Sequence, residues 1–228
     1  MRIAELYQSN QGEGRLTGVP SVFVRASGCN LRCWFCDTPF TSWEPEGEDL
    51  SVDEILRRTL EHDARHVVLT GGEPMLFAEL LPLTRQLHRA GRHITIETAG
   101  TLYLPVTCDL MSISPKLASS TPSAERDARW HTRHERSRFV PEVIRRLLDE
   151  YDCQLKFVVD TPADITEIES WLAQFPDVAP SRVWCMPQGT TLPELQERAV
   201  WLEPLCTERG WTYCPRMHIE WYGHTRGT

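Results

Sequence analysis

Cys29, Cys33 and Cys36 stand together in the run GCNLRCWFCDT, Gly28 to Thr38, with the spacing C-x3-C-x2-C. That spacing lets three thiolates converge on one inorganic centre from a single loop. Zinc is the competing occupant. A closed structural zinc site takes four protein ligands, commonly as two separated pairs, and no second pair follows here at a finger-like distance. A 4Fe-4S cluster held by three thiolates would keep one iron open for a ligand, and the spacing favours that reading over zinc. The remaining cysteines, Cys108, Cys153, Cys185, Cys206 and Cys214, are scattered and read as small buried hydrophobes.

Other segments have chemical potential of their own. Thr70 to Pro74 (TGGEP) pairs two glycines, which allow close backbone approach to a ligand; Pro74 also fits a first helical turn. Arg25 lies on an otherwise apolar run, and a buried guanidinium needs an anionic or hydrogen-bonding partner. Its planar fork suits a carboxylate. Asp37 and Thr38 could serve only as turn caps. Gln11 to Gly14 (QGEG) could be a simple turn, and Ser114 to Lys116 (SPK) a routine strand exit.

These residues must be positioned by short apolar runs that alternate with amphipathic stretches. Ser21–Ser27, His66–Thr70, His93–Thr98, Leu110–Ser114, Leu155–Asp160 and Val183–Pro187 read as strands, rich in Val and Ile and bounded by Gly, Pro or polar residues. Helical patterns begin at Ser51, with Glu54 completing a capping box, and cover roughly 78–90, 139–151, 163–175 and 192–209. The expectation is an α/β protein built on a partial (β/α) barrel of about six βα units, with Glu97 and Thr98 on the ligand-facing end of a strand. No domain boundary is visible, so residues 1–228 are expected to form one domain. Two segments break the alternation: the acidic loop Trp43 to Leu50, and residues 117–138, with Arg126, Arg129, His131, Arg133, His134, Arg136 and Arg138 among few acids. The second reads as a solvated helix or loop, with a lid or a docking surface for an acidic electron donor as alternatives.

The formal charge of −8 argues against nucleic acid as partner. No apolar stretch approaches the roughly 20 residues of a membrane helix, and Met1 to Asn10 does not resemble a secretory signal. A cytoplasmic location with reduced thiols is expected.

The combination QGEG, FVR-x-x-GCNL-x-C-x-x-CDT, TGGEP, ET-x-G and SPK resembles the 7-carboxy-7-deazaguanine synthase family of the radical S-adenosylmethionine superfamily. The resemblance runs from about Tyr7 to Lys116 and is thinner beyond, resting on Leu155–Asp160, Met186–Gly189 and His218–Gly227. It implies a lyase of queuosine and deazapurine biosynthesis that converts 6-carboxy-5,6,7,8-tetrahydropterin to 7-carboxy-7-deazaguanine with loss of ammonia. S-adenosylmethionine would act as a catalytic cofactor, its adenosyl radical taking a hydrogen from the pterin carbon bearing the carboxylate and returning it. The same resemblance implies that Cys29, Cys33 and Cys36 hold the 4Fe-4S cluster and that Thr38 is a ligand of Mg2+, an ion that keeps waters and takes few protein ligands. Gln11, Gly12, Glu13, Arg25, Thr70 and His218 would meet the substrate. Phe35, Cys36, Asp37, Gly72, Glu97, Ser114, Pro115, Lys116 and the run Met186, Pro187, Gln188 and Gly189 would meet S-adenosylmethionine. A homodimer, with tryptophans such as Trp201 and Trp211 at the interface, and a flavodoxin or ferredoxin as electron donor are further implications. Alanine at position 99 departs from the larger polar residue common there, and the basic stretch 117–138 is longer than in compact members. Rival readings are a glycyl-radical activase, which shares the cysteine loop, and a zinc- or cluster-binding structural or electron-transfer module.

Overall fold

The computed structural model describes residues 1–228. Nine strands form one sheet: β1 (Arg2–Asn10), β2 (Pro20–Ala26), β3 (Glu48–Asp49), β4 (His66–Gly71), β5 (His93–Thr98), β6 (Leu110–Ile113), β7 (Cys153–Val159), β8 (Val183–Pro187) and β9 (Thr212–Tyr213). Their spatial order is β3-β1-β2-β4-β5-β6-β7-β8-β9, so the sheet is open. From β2 through β4 to β8 and β9 every pairing is parallel, while β1 runs antiparallel to β2 and β3. The helices are α1 (Pro39–Ser42), α2 (Val52–Leu60), α3 (Leu80–Arg89), α4 (Ala124–Ser137), α5 (Pro141–Glu150), α6 (Pro162–Leu172), α7 (Leu192–Arg209) and α8 (Met217–Tyr222).

The six expected strands are β2 and β4 to β8, each within two residues at either end. The strand ahead of the cysteine loop, the first of the six expected, is thus the second of the chain, because β1 precedes it. The polar run ELYQSN in β1 carries no continuous apolar signal, and its register against β2 is what makes it a strand. Between β5 and β6 no helix intervenes. The segment read as an acidic loop includes β3, and 117–138 is mostly the helix α4.

Strand alternation explains how this sheet can carry charge without losing its core. Successive side chains point to opposite faces. On one face Val22, Val24, Val67, Leu69, Ile94, Ile96, Met111, Ile113, Leu155 and Phe157 join helix residues such as Ile55, Leu83, Leu87, Ile144 and Ile168 in a 32-residue core. Each large apolar side chain buried there contributes about 1.5–3 kcal/mol. The residues of opposite parity include Arg25, Thr70, Thr95, Glu97, Ser112, Gln154 and Lys156, interleaved with Phe23, Val68 and Leu110. Register sets Arg25 beside Thr70 and Glu97 beside Ser112, with Ser112 beside Gln154, so these polar groups form a row across the second face.

Candidate active site

Two clusters meet at the carboxyl ends of the parallel strands: the cysteine loop with its supports, and a set of buried and half-buried charges.

The cysteine loop leaves β2 and is pinned by the turn after β4. Gly72 N donates to Ala26 O at 3.1 Å, Glu73 N to Gly28 O at 2.9 Å, and Gly28 N to Thr41 O at 2.8 Å. Gly72 has no room for a side chain, since a Cβ would run into the Gly28 and Thr41 carbonyls. Glu73 is fully buried. Its carboxylate accepts Met75 N at 3.0 Å, Thr98 Oγ1 at 2.8 Å and Ala99 N at 2.9 Å. Burial raises its pKa, and these donors oppose the rise. Glu73 is thus the peg that ties the TGGEP turn to the end of β5, and Ala99 takes part through its backbone. From the other side Trp43 Nε1 donates to Cys33 O at 2.9 Å, and Trp34 Nε1 donates to Ser119 O at 2.7 Å. Arg32 N donates to Nδ1 of the buried His134 at 3.1 Å, whose Nε2 lies 2.9 Å from Ser120 Oγ.

All eight cysteines are free thiols, and the three of the loop are half-buried. No three His, Cys, Asp or Glu side chains converge on a single ion position, which does not suit a closed mononuclear zinc site. The trio does suit a larger centre. Ser42 Oγ donates to Cys36 Sγ at 3.2 Å and Leu31 N approaches Cys29 Sγ at 3.4 Å, contacts that stabilise sulfur-borne negative charge. Burial pushes the Cys29 thiol up to about 12 and the Cys33 thiol up to about 11. Thiolates at these positions therefore need a cationic centre, and coordination deprotonates a thiol outright. Thr38 Oγ1 lies 3.8 Å from Cys36 Sγ and accepts from Thr41 Oγ1 at 3.3 Å. Phe35 packs edge-on against Trp34, with ring centroids 5.3 Å apart.

The charged set centres on Glu13 and Glu97. Lys156 Nζ bonds Glu13 Oε2 and lies 3.6 Å from Glu97 Oε1. Arg216 reaches three groups: Glu13 Oε1 at 3.2 Å, the Asp37 carboxylate, and Gly189 O at 2.5 Å. Burial alone would raise the Glu13 pKa, but Lys156 and then Arg216 hold it well below the ordinary range. Asp37 is likewise held low, Arg216 outweighing its burial. Glu97 accepts Thr70 Oγ1 at 2.8 Å and Gln11 Nε2 at 3.3 Å, so it stands among the residues expected around the substrate, whereas the resemblance groups it with the cofactor. Arg25 uses Nε on Glu5 (2.8 Å), the residue opposite it on β1, and Nη2 on Tyr7 OH (3.1 Å); its Nη1 makes no hydrogen bond within the protein. His218 Nδ1 lies 3.8 Å from Glu13 Oε1. Its ring closes on Gly12, where a Cβ would meet it, and Met217 N donates to Gly12 O at 3.0 Å.

The radical SAM superfamily profile matches residues 23–147. The 7-carboxy-7-deazaguanine synthase of Rhodopirellula baltica is 45% identical over 99% of this chain and 88% of that protein. That of Halobacterium salinarum is 48% identical over 95% of this chain and 88% of its own length. The chain belongs to the radical SAM superfamily, among the 7-carboxy-7-deazaguanine synthases. The crystal structure of QueE from Escherichia coli superposes with a TM-score of 0.69 at 28% identity, covering 95% of this chain and 94% of that one. Streptococcus suis SuiB bound to S-adenosylmethionine, at 13% identity and a TM-score of 0.57, shares the fold.

The residues expected to meet S-adenosylmethionine lie around the cysteine loop. Lys116 Nζ donates to Ser114 O at 2.8 Å and Ser114 Oγ at 2.7 Å, close enough to Cys33 to oppose the rise of its thiol. Ser114 N donates to Thr98 O at 2.7 Å, and the buried Pro115 lies between Ser114 and Lys116. Met186 and Pro187 close β8, Gln188 N donates to Val159 O at 2.8 Å, and Gly189 follows at φ +142°, where Arg216 meets its carbonyl.

Lys156 and Arg216, both nearly inaccessible, were not among the expected site residues. Lys156 had a signal: a cation inside an apolar strand, as for Arg25. Arg216 had none, because it reaches Glu13 across 203 residues. Trp201 and Trp211 pack against the core.

Proposed function

We infer that the protein catalyses the radical rearrangement of 6-carboxy-5,6,7,8-tetrahydropterin to 7-carboxy-7-deazaguanine with loss of ammonia, the first deazapurine step toward queuosine-type products. The observation that carries this reading is the coexistence of the cysteine loop, locked to the TGGEP turn, with a polar face of buried Gln11 and Thr70 and half-buried Glu13, Arg25 and Glu97. Cys29, Cys33 and Cys36 would hold a 4Fe-4S cluster, which with S-adenosylmethionine supplies, when bound, the 5′-deoxyadenosyl radical.

The chain's own residues do the rest. Nη1 of Arg25 is free to meet the substrate carboxylate, while Glu5 and Tyr7 fix the fork's orientation. Gln11, Glu97 and Thr70 offer donors and acceptors to the pterin edge, and Glu13, pinned by Lys156 and Arg216, stays a carboxylate throughout. Such pre-positioned groups cost no reorganisation when the ring contracts. Gly72, Asp37, Ser114 to Lys116 and Met186 to Gly189 surround the place for S-adenosylmethionine. Thr38, whose hydroxyl meets only the Thr41 hydroxyl and the Cys36 sulfur, is the Mg2+ ligand in this reading. Residues 1–228 act as one domain, homodimeric, in the cytoplasm, where eight free thiols remain reduced. An acidic flavodoxin or ferredoxin provides electrons.

The test is an anaerobic assay of the iron-loaded protein with reductant, S-adenosylmethionine and the carboxytetrahydropterin, read by mass spectrometry. Formation of 7-carboxy-7-deazaguanine is expected. Methionine and 5′-deoxyadenosine without that product would reopen the substrate, and neither, with an intact reduced cluster, would overturn the enzyme reading.

A further inference from the structure

Helix α4 presents two working faces. Asp127 interrupts it in extended backbone, and its carboxylate accepts Trp130 N at 2.9 Å, so the regular helix begins after it. Trp130 and His134, one turn apart, face the cysteine loop: the Arg32 guanidinium stacks over Trp130 at 4.0 Å, and Arg32 N donates to His134. The adjacent face carries Arg129, Arg133 and Arg136, whose spacing of four and three aligns them in one stripe. All three are exposed and none makes an ion pair, whereas Arg138 at the helix end is paired with Glu135 and Glu167. Together with Asn30, which follows Cys29 in the loop, and with Leu76 and Leu102, they line a cleft of about 730 Å³.

Three unneutralised arginines on one wall of a cleft are unexpected in a chain of charge −8, and this cleft reaches the loop that would hold the cluster. We propose that this face of α4 docks an acidic one-electron carrier protein of the flavodoxin type. One electron leaves the reduced carrier and one arrives at the cluster, with no bond made or broken. Opposite charge steers the encounter and sets orientation, and Leu76 and Leu102 supply the apolar contact between the charges. The inference rests on the reading of the protein as a reductively activated radical enzyme.

The test compares the cluster-loaded wild type with Arg129→Glu/Arg136→Glu. Arg133 is spared because it also stacks on Trp130. Cluster reduction is followed by electron paramagnetic resonance and visible absorbance without substrate, driven either by a reduced acidic flavodoxin or by dithionite. The flavodoxin-driven rate should fall at least about tenfold at low salt, and its salt dependence should flatten. Dithionite-driven reduction and turnover should match the wild type, and Arg129→Lys/Arg136→Lys should retain the flavodoxin rate. An unchanged flavodoxin rate would overturn the proposal, and so would an equal loss with dithionite, which would assign these arginines to the enzyme's own site. If the charge-reversed variant loses only flavodoxin-driven reduction while the wild type forms no deazaguanine, the docking surface stands and the substrate assignment fails.

Discussion

At the residue scale, the site depends on compensation among buried charges. Glu13 and Lys156 are both largely withdrawn from water, and removing one member of such a pair leaves the other uncompensated. Glu13→Gln should therefore cost about 3 kcal/mol of stability in chemical denaturation. It should also lower kcat/KM for the pterin more than tenfold, because Lys156 and Arg216 would turn to other acceptors. Glu13→Gln/Lys156→Met should recover part of the stability and none of the activity, a coupling that only contacting residues show. His134 adds a pH dependence. Burial lowers its pKa to about 4, while in the unfolded chain it titrates near its ordinary value of about 6.5. A depressed folded-state pKa means its contribution is present above about pH 6.5 and is lost as pH falls toward 4. Melting curves from pH 7.5 to 4.5 should show a wild-type loss of stability that His134→Gln lacks.

At the scale of elements, the turn after β4 and the cysteine loop behave as one piece. Gly72 is the contact point, and the atoms that a Cβ would meet there are backbone carbonyls that cannot swing aside. Gly72→Ala should push the turn away from Gly28. Iron content after reconstitution and release of 5′-deoxyadenosine should both fall, the latter more than tenfold, with far-UV circular dichroism unchanged. Helix α4 holds the loop from the opposite side through Trp130 and His134, which gives the basic segment a structural duty besides any docking role.

For the whole molecule, the core and the iron site are separable. None of the 32 core residues comes from the cysteine loop between Ser27 and Thr38, so the sheet and its helices bury their apolar surface without the cluster. Chelation of iron should abolish cleavage of S-adenosylmethionine and leave a cooperative thermal transition and native circular dichroism. Loss of the transition would show that the cluster contributes to folding, as metal does in zinc fingers. No helix is long and apolar enough to cross a membrane.

The six parallel strands and most of their helices were legible because each is specified locally, by β-branched runs of strand length and by apolar spacing at helical period. The cysteine trio and TGGEP were legible for a related reason: their chemistry lies in short-range spacing. What only tertiary structure decided depends on long-range register. β1 became a strand by pairing with β2, since its polar alternation needed a partner to be recognised. Glu97 joined Thr70, 27 residues away, because the parallel register of β4 and β5 set the two side by side, and it met Gln11, 86 residues away, because antiparallel β1 delivers its following turn to the same end of the sheet. Lys156 and Arg216 became counter-charges of Glu13 only when β7 and the segment before α8 were brought together over one face of the sheet. Charge pairing across such distances leaves no mark on local spacing, and the fold alone determines it.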